Sequence, residues 1–213
     1  MKYGKLILFL ILCFAAALPV SALTMSPCSS VPGNLLSNCG FETGSFAGWA
    51  QGGNTSETFV GSGANSGYSG ANSGKDYALL GPNGYGTLSQ NLTTKAGQTY
   101  ILSFYFASLG DDKNSDFEVY WDNGSALLSL SDPKTGSTFS LFSYEVKGTG
   151  WDTLQFRFKD NKGSLALDDV SVSAKLVLPP APPPTPGATP EPGSIGMLFI
   201  GAGAVLAVRR RLA

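Results

Sequence analysis

The chain has 213 residues, a formal charge of −1 and no histidine, which excludes a histidine-based catalytic triad and the usual catalytic zinc ligand sets. Five of its positive residues, Lys2, Lys5 and Arg209 to Arg211, sit at the two ends, so the stretch between them is acidic. That stretch holds no basic patch interleaved with aromatics, and phosphate binding needs clustered positive charge, so nucleic acid is excluded as a partner.

In chain order, the first element is an export signal. Lys2 and Lys5 form a positive start, Leu6 to Leu18 is apolar apart from Cys13, and Val20-Ser21-Ala22 offers a cleavage site. Residues 1–22 therefore read as a secretory signal peptide. The apolar run is short of the roughly 20 residues a bilayer core prefers, which favours cleavage over an uncleaved anchor.

Residues 23–178 make one domain's worth of chain. It holds two cysteines, Cys28 and Cys39. An exported chain meets an oxidising compartment, so the even pair reads as a disulfide, the alternative being two separate, inert thiols. Glycine, serine and asparagine punctuate the domain, and no stretch keeps a helical period.

Period-2 alternation predicts strands instead. Thr99 to Leu109 sets Leu102, Phe104 and Phe106 on one face. Asp116 to Trp121 alternates Phe117, Val119 and Trp121 against Glu118 and Tyr120. Trp151 to Lys159 alternates Leu154, Phe156 and Phe158 against Gln155, Arg157 and Lys159. Further strands are predicted at Glu57–Val60, Tyr77–Leu80, Gly86–Leu92, Ala126–Leu130, Phe139–Val146 and Leu165–Ala174, with a tight turn at Asp122-Asn123-Gly124. Such spacing gives an all-β antiparallel jelly-roll β-sandwich. Between these strands, Gly61 to Gly74 is almost pure Gly, Ser, Asn and Ala around Tyr68, and reads as a long loop: either a binding surface or a solvent-facing excursion.

In the last strand, Leu165 and Leu167 share one parity and Val170 and Val172 the other, so a β-bulge is expected at Asp168-Asp169. A carboxylate at a bulge, close to a second carboxylate and free carbonyls, suits a hard cation such as calcium. Glu42 and Asp168 are the candidate ligands, with Asp169 the fallback. The plainer reading is a set of exposed turn carboxylates.

Past the domain, residues 179–189 form a Pro-rich linker that favours an extended spacer. The final segment, 190–213, opens with Pro190-Glu191-Pro192, continues through an apolar run at 195–208, and ends in Arg209-Arg210-Arg211. The run is expected to be a short transmembrane helix, its arginines on the cytoplasmic side and the domain outside.

This three-part tail resembles the PEP-CTERM sorting signal of Gram-negative bacteria. The resemblance implies processing by an exosortase-type membrane enzyme, and a place in the cell envelope or an extracellular polysaccharide or biofilm matrix. The domain is also similar to a known group. Asn34 to Gly44 with Gly48-Trp49, the run Gln90 to Tyr100 with Leu102-Ser103-Phe104, and Leu165 to Val172 resemble the opening, central and closing strands of carbohydrate-binding modules of the galactose-binding-like jelly-roll group. That resemblance implies a structural calcium joining the first and last strands, with Glu42 and Asp168 on matching positions. Cys39 stands where the group has a small or polar residue, which points to an added crosslink.

Modules of that kind stack pyranose faces on aromatic rings. Trp49, Tyr68, Tyr77, Tyr105, Tyr120 and Trp151 are the candidate rings, and Arg157 with Gln155 would add hydrogen bonds to hydroxyls. Tyr105 and Tyr120 lie opposite the core faces, so they are expected to line one outer or concave sheet surface. Trp121 shares the core parity. The function expected is non-catalytic polysaccharide binding by a surface-associated or secreted protein, the alternative being a structural matrix protein that binds no small ligand. A glycoside hydrolase is the least favoured reading. It would have to use Glu118 and Asp116 as its two carboxylates.

Overall fold

The computed structural model describes residues 27–176, apart from 66, 111–112, 123 and 161–164. The signal peptide, the linker and the sorting tail with its apolar run lie outside the described residues, as does Asn123 of the expected turn. Among the described residues no helix is long and apolar enough to cross a membrane.

The alternating segments form strands, because each has one face of branched or aromatic side chains that must leave water. After a 3-10 turn at Pro27–Ser30 come β1 (Ala50–Gly53), β2 (Thr58–Ser62), β3 (Asp76–Leu80), β4 (Gly86–Thr93), β5 (Thr99–Ser108), β6 (Asp116–Trp121), β7 (Leu128–Ser131), β8 (Gly136–Lys147), β9 (Trp151–Lys159) and β10 (Leu165–Ala174). Two five-stranded sheets result. Sheet A has the order β1-β4-β9-β6-β7, and sheet B the order β2-β3-β10-β5-β8. Every pairing is antiparallel. This is an all-β, two-sheet, jelly-roll-like sandwich.

The inner faces meet in one apolar layer. Phe104 and Phe106 of β5 and Phe156 and Phe158 of β9 are buried to within 1% of full exclusion, so the core stripe predicted from alternation is dry. Phe106 stacks on Phe117 at 4.1 Å between centroids, and Phe104 meets Phe156 edge-on at 5.4 Å, two geometries that aromatic quadrupoles favour. Trp121 joins this layer, and its indole N–H donates to the Lys147 carbonyl at 2.9 Å.

The bulge in β10 is present. Its pairing with β5 shifts register between Asp168 and Ser171, and Asp169 adopts φ of 49°. The extra residue turns Val170 and Val172 back to the same core as Leu165 and Leu167.

The segment Asn34 to Gly44, expected to open the sandwich as a strand, forms successive turns instead. Asn38 and Phe41 have φ of 47° and 60°, which breaks any extended run. The segment still docks on β10. Leu35 N–H donates to the Val172 carbonyl, Val172 N–H to Asn34 Oδ1, and Val170 N–H to the Cys39 carbonyl, each at 2.9 Å. Cys28 and Cys39 are joined by a disulfide and buried in the core.

Candidate functional site

The sandwich has two outer faces, and the sequence treats them differently. On sheet B the outward residues of β3, β5 and β10 include Tyr77, Leu79, Ala107 and Ala166, which are apolar and buried. The loop between β2 and β3 covers them. Its Tyr68 joins those four residues in a second apolar cluster, with Phe139 of β8 packed against it. Tyr68 and Tyr77 meet edge-on at 6.0 Å, and the Tyr68 hydroxyl donates to the Ala107 carbonyl at 3.2 Å. Tyr77 donates to the carbonyls of Gly63 and Asn65, both at 3.2 Å. The Gly/Ser/Asn loop is therefore a folded flap.

The carboxylates considered for calcium hold this flap. Asp168 Oδ2 accepts the backbone N–H of Asn72 at 2.9 Å and of Ser73 at 3.3 Å, and its Oδ1 accepts Asp169 N–H at 2.7 Å. Asp169 accepts from Asn72 Nδ2 at 2.7 Å and from the Ser73 hydroxyl at 3.0 Å. Glu42 Oε1 accepts the N–H groups of Lys75 at 2.9 Å and Asp76 at 3.1 Å. Burial, with the Asp169 charge adding, pushes the Asp168 carboxyl up to about 8, although its three backbone donors pull the other way.

The expectation of calcium is corrected here. Among the described residues no group of three or more His, Cys, Asp or Glu side chains could hold a metal ion. Glu42, Asp168 and Asp169 act as hydrogen-bond acceptors for the flap and the start of β3. The bulge does re-aim carboxylates, but Asp168 meets backbone N–H groups and Asp169 meets the Asn72 amide and the Ser73 hydroxyl.

Sheet A has an open outer face. Its central strand β9 presents Trp151, Thr153, Gln155, Arg157 and Lys159 outward, while Asp152, Leu154, Phe156 and Phe158 face in. Register builds rows across the strands. Ala50 of β1 pairs with Ser89 of β4, Ser89 with Gln155 of β9, and Gln155 with Tyr120 of β6. The row spans three inter-strand steps, about 14 Å. At its β1 end, small side chains leave an open depression of about 340 Å³, lined by Ser37, Gly48, Ala50, Ser89, Gln90 and Asn91. Gln90 is held beneath it, accepting from Ser37 N–H at 2.8 Å. Gly48 has φ of 83°, and a Cβ there would run into the Ser37 hydroxyl, so only glycine keeps this rim low. One step along, Thr153 donates to Asn91 Oδ1 at 2.7 Å. Trp151 stands at the end of the β9 line, 65% exposed.

The other end of the face is a fixed charge lattice. Arg157 bridges to Glu118, whose Oε2 also accepts the Tyr120 hydroxyl at 3.0 Å. The guanidinium lies 3.4 Å from the ring centroid of Tyr85, a cation–π arrangement. The Tyr85 hydroxyl donates to Asp116 Oδ2 at 2.6 Å, and Lys159 pairs with the same oxygen at 2.9 Å. The Tyr85 hydrogen bond, with Lys159 adding, holds the Asp116 carboxyl below its ordinary range. A general acid needs the opposite shift, so Asp116 is not poised to hold the proton that glycosidase chemistry would ask of it.

The structure thus divides the candidate rings. Tyr120, Trp151 and Arg157 share the outer face of sheet A. Tyr105 sits in β5 on the outer face of sheet B, opposite Asp168 and Leu141 in register, so it does not share a surface with Tyr120. Trp49, Tyr68 and Tyr77 are buried at 7%, 2% and 0% exposure and present no ring face to solvent. Trp49 packs on Phe41 and donates its indole N–H to the Asn38 carbonyl at 3.1 Å. Two features escaped the sequence reading. Tyr85 sits in a turn between Gly84 and Gly86, with no alternation to assign it a face, and the depression is built from small residues of separate segments.

The PEP-CTERM protein-sorting motif matches residues 188–211 and supports an exported, surface-associated protein. No curated protein matches the chain in sequence. Among solved structures, TmCBM61 in complex with β-1,4-galactotriose is similar at 20% identity, covering 67% of this chain and 99% of that one with a TM-score of 0.53. A CBM4 structure is 15% identical over 66% of this chain and 99% of its own, at a TM-score of 0.42. The CBM22-1–GH10 modules of Clostridium thermocellum endo-1,4-β-D-xylanase 10B, complexed with xylohexaose, are 15% identical over 70% of this chain and 30% of theirs, at 0.46. At these identities the likeness speaks to fold. The chain carries a PEP-CTERM sorting motif behind a domain whose fold resembles carbohydrate-binding jelly-roll modules.

Proposed function

We propose that the outer face of sheet A binds a polysaccharide without catalysis. The observation that carries this reading is the cross-strand row Ala50, Ser89, Gln155 and Tyr120, with the exposed Trp151 on the same face. Small residues leave room for a chain, hydroxyl and amide groups can hydrogen-bond its hydroxyls, and rings can stack on its apolar faces. Arg157 is already engaged by Glu118 and Tyr85, so it acts as a fixed donor at the edge of the row. Similarity in fold to TmCBM61, which was solved with β-1,4-galactotriose, points the same way.

The ends of the chain supply the context. Residues 1–22 direct export, the 179–189 linker spaces the domain from its tail, and the tail from Pro190-Glu191-Pro192 to Arg209-Arg210-Arg211 is processed by an exosortase-type enzyme. The destination is the envelope or matrix of a Gram-negative bacterium, where polysaccharide is abundant.

A glycan array with wild type, Trp151→Ala, Tyr120→Ala and Tyr105→Ala tests the reading. Reproducible binding is expected, weakened about tenfold by each of the first two changes, since losing one stacking contact is worth about 1.4 kcal/mol, and unchanged by the third. No binding to any glycan would leave the structural matrix role as the better account. Loss only in Tyr105→Ala would move the site to sheet B.

A further inference from the structure

The four edges of the two sheets are unequal. β1 and β7 bound sheet A with four residues each, and β2 bounds sheet B with five. β8, the other edge of sheet B, has twelve. Short edges offer too few free N–H and C=O groups to template another strand, whereas a long edge offers a ready ladder. Proteins usually blunt such an edge with proline, charge or a bulge. β8 contains no proline, and its two charged residues, Glu145 and Lys147, both lie near its end. An irregularity against β5 falls between Ser140 and Gly136, leaving the run from Ser140 to Lys147 in regular register.

Among the described residues, no strand but β5 pairs with that run, and only its last carbonyl, that of Lys147, is taken, by the Trp121 indole N–H. Ser140, Leu141 and Ser143 are exposed, with Leu141 at 58%. Phe142 and Tyr144 both stack on Phe104 and are half-buried at this edge.

We infer that this edge is a self-pairing surface, and that its partner is the β8 edge of a second copy of the chain, added antiparallel about a two-fold axis at Ser143. The sequence is complementary to itself in that register. Side chains opposite each other must share a face, and the axis at Ser143 sets each Phe142 against the other copy's Tyr144, giving two aromatic pairs on the inner side. On the outer side the axis carries only the small Ser143 pair, and Leu141 lies opposite Glu145, so its methyls cover the acid's stem. No like charges meet. The result is a continuous ten-stranded sheet, and it leaves the outer face of sheet A untouched in both copies.

Charge substitution at the axis tests the register. Sedimentation velocity of the full chain in nonionic detergent is expected to show a reversible dimer. Ser143→Lys and Ser143→Glu each set like charges against each other and are expected to weaken the dimer about tenfold, while an equimolar mixture of the two recovers it. A wild-type chain that stays monomeric at all concentrations overturns the proposal, as do single variants that dimerise like wild type or a mixture that fails to recover. Far-ultraviolet circular dichroism on each variant checks that the fold is intact, so that dissociation reports the edge alone.

Discussion

The two outer faces of this sandwich began with the same problem and solved it in opposite ways. Sheet B places Tyr77, Leu79, Ala107 and Ala166 outward, where they would meet water, and the loop between β2 and β3, with little apolar content, closes over them. Sheet A places hydroxyl, amide and paired charged groups outward, and nothing among the described residues closes over it. A closed face contributes to stability, and an open one is free to contact a ligand. Changes on the two faces should therefore separate cleanly into folding effects and binding effects.

The sharpest way to break that division is at Tyr68, which anchors the flap at 2% exposure. Tyr68→Ala removes a buried ring and leaves a cavity between the flap and the sheet. It should cost about 3–5 kcal/mol in urea denaturation and leave glycan affinity unchanged. A cost near zero would mean that the flap is not part of the folded unit.

The next effect comes from acid–base linkage. The Asp168 carboxyl titrates near 8 when folded, against about 3.9 in an unfolded chain. Between those values the folded state keeps a proton that the unfolded state has lost. This group's contribution to stability is therefore fully present below about pH 4 and is lost as pH rises to 8, by up to about 1.4 kcal/mol per pH unit. Asp168→Asn should flatten this slope, seen by comparing urea midpoints at pH 5 and pH 8. An unchanged slope would assign the pH dependence to other groups.

Gly74 gives a smaller test of the same anchor. It has φ of 66°, and a Cβ there would collide with the Glu42 carboxylate that caps β3. Gly74→Ala should cost about 1–2 kcal/mol, and Gly70 or Gly63, where a Cβ meets nothing, should be more forgiving of the added atom. Smallest of all is the stability change at the open face. Trp151→Ala should alter the unfolding free energy by less than about 0.5 kcal/mol, since the indole is mostly in water, even as glycan binding falls.

Much of this arrangement was legible from alternation. Asp116–Trp121, Trp151–Lys159 and Leu165–Ala174 were predicted with the bounds they have; strict period-2 burial fixes the first two, while the third is buried along nearly its whole length, on both sides of its bulge. The bulge at Asp168-Asp169 was readable from a change of parity alone. β1 was not, since Ala50-Gln51-Gly52-Gly53 carries no pattern and is a strand only because β4 pairs with it. The flap was not, since Gly, Ser and Asn say where a chain turns but not what it covers. Only Tyr68 hinted at it. Assigning rings to faces succeeded within each strand and failed between strands. Parity placed Tyr105 and Tyr120 both outward, but which sheet each joins depends on long-range pairing that local spacing does not encode.

The position of β10 has one more consequence. It is the central strand of sheet B, held by β3 on one side and β5 on the other, and the opening turns of the domain dock on it as well. It is also the last strand among the described residues. Tension applied to the chain beyond Ala174 runs along β10, at right angles to its ladder bonds, which must shear as a group and cannot be peeled one by one. A domain tethered in flowing liquid would feel drag at the strand best built to resist it.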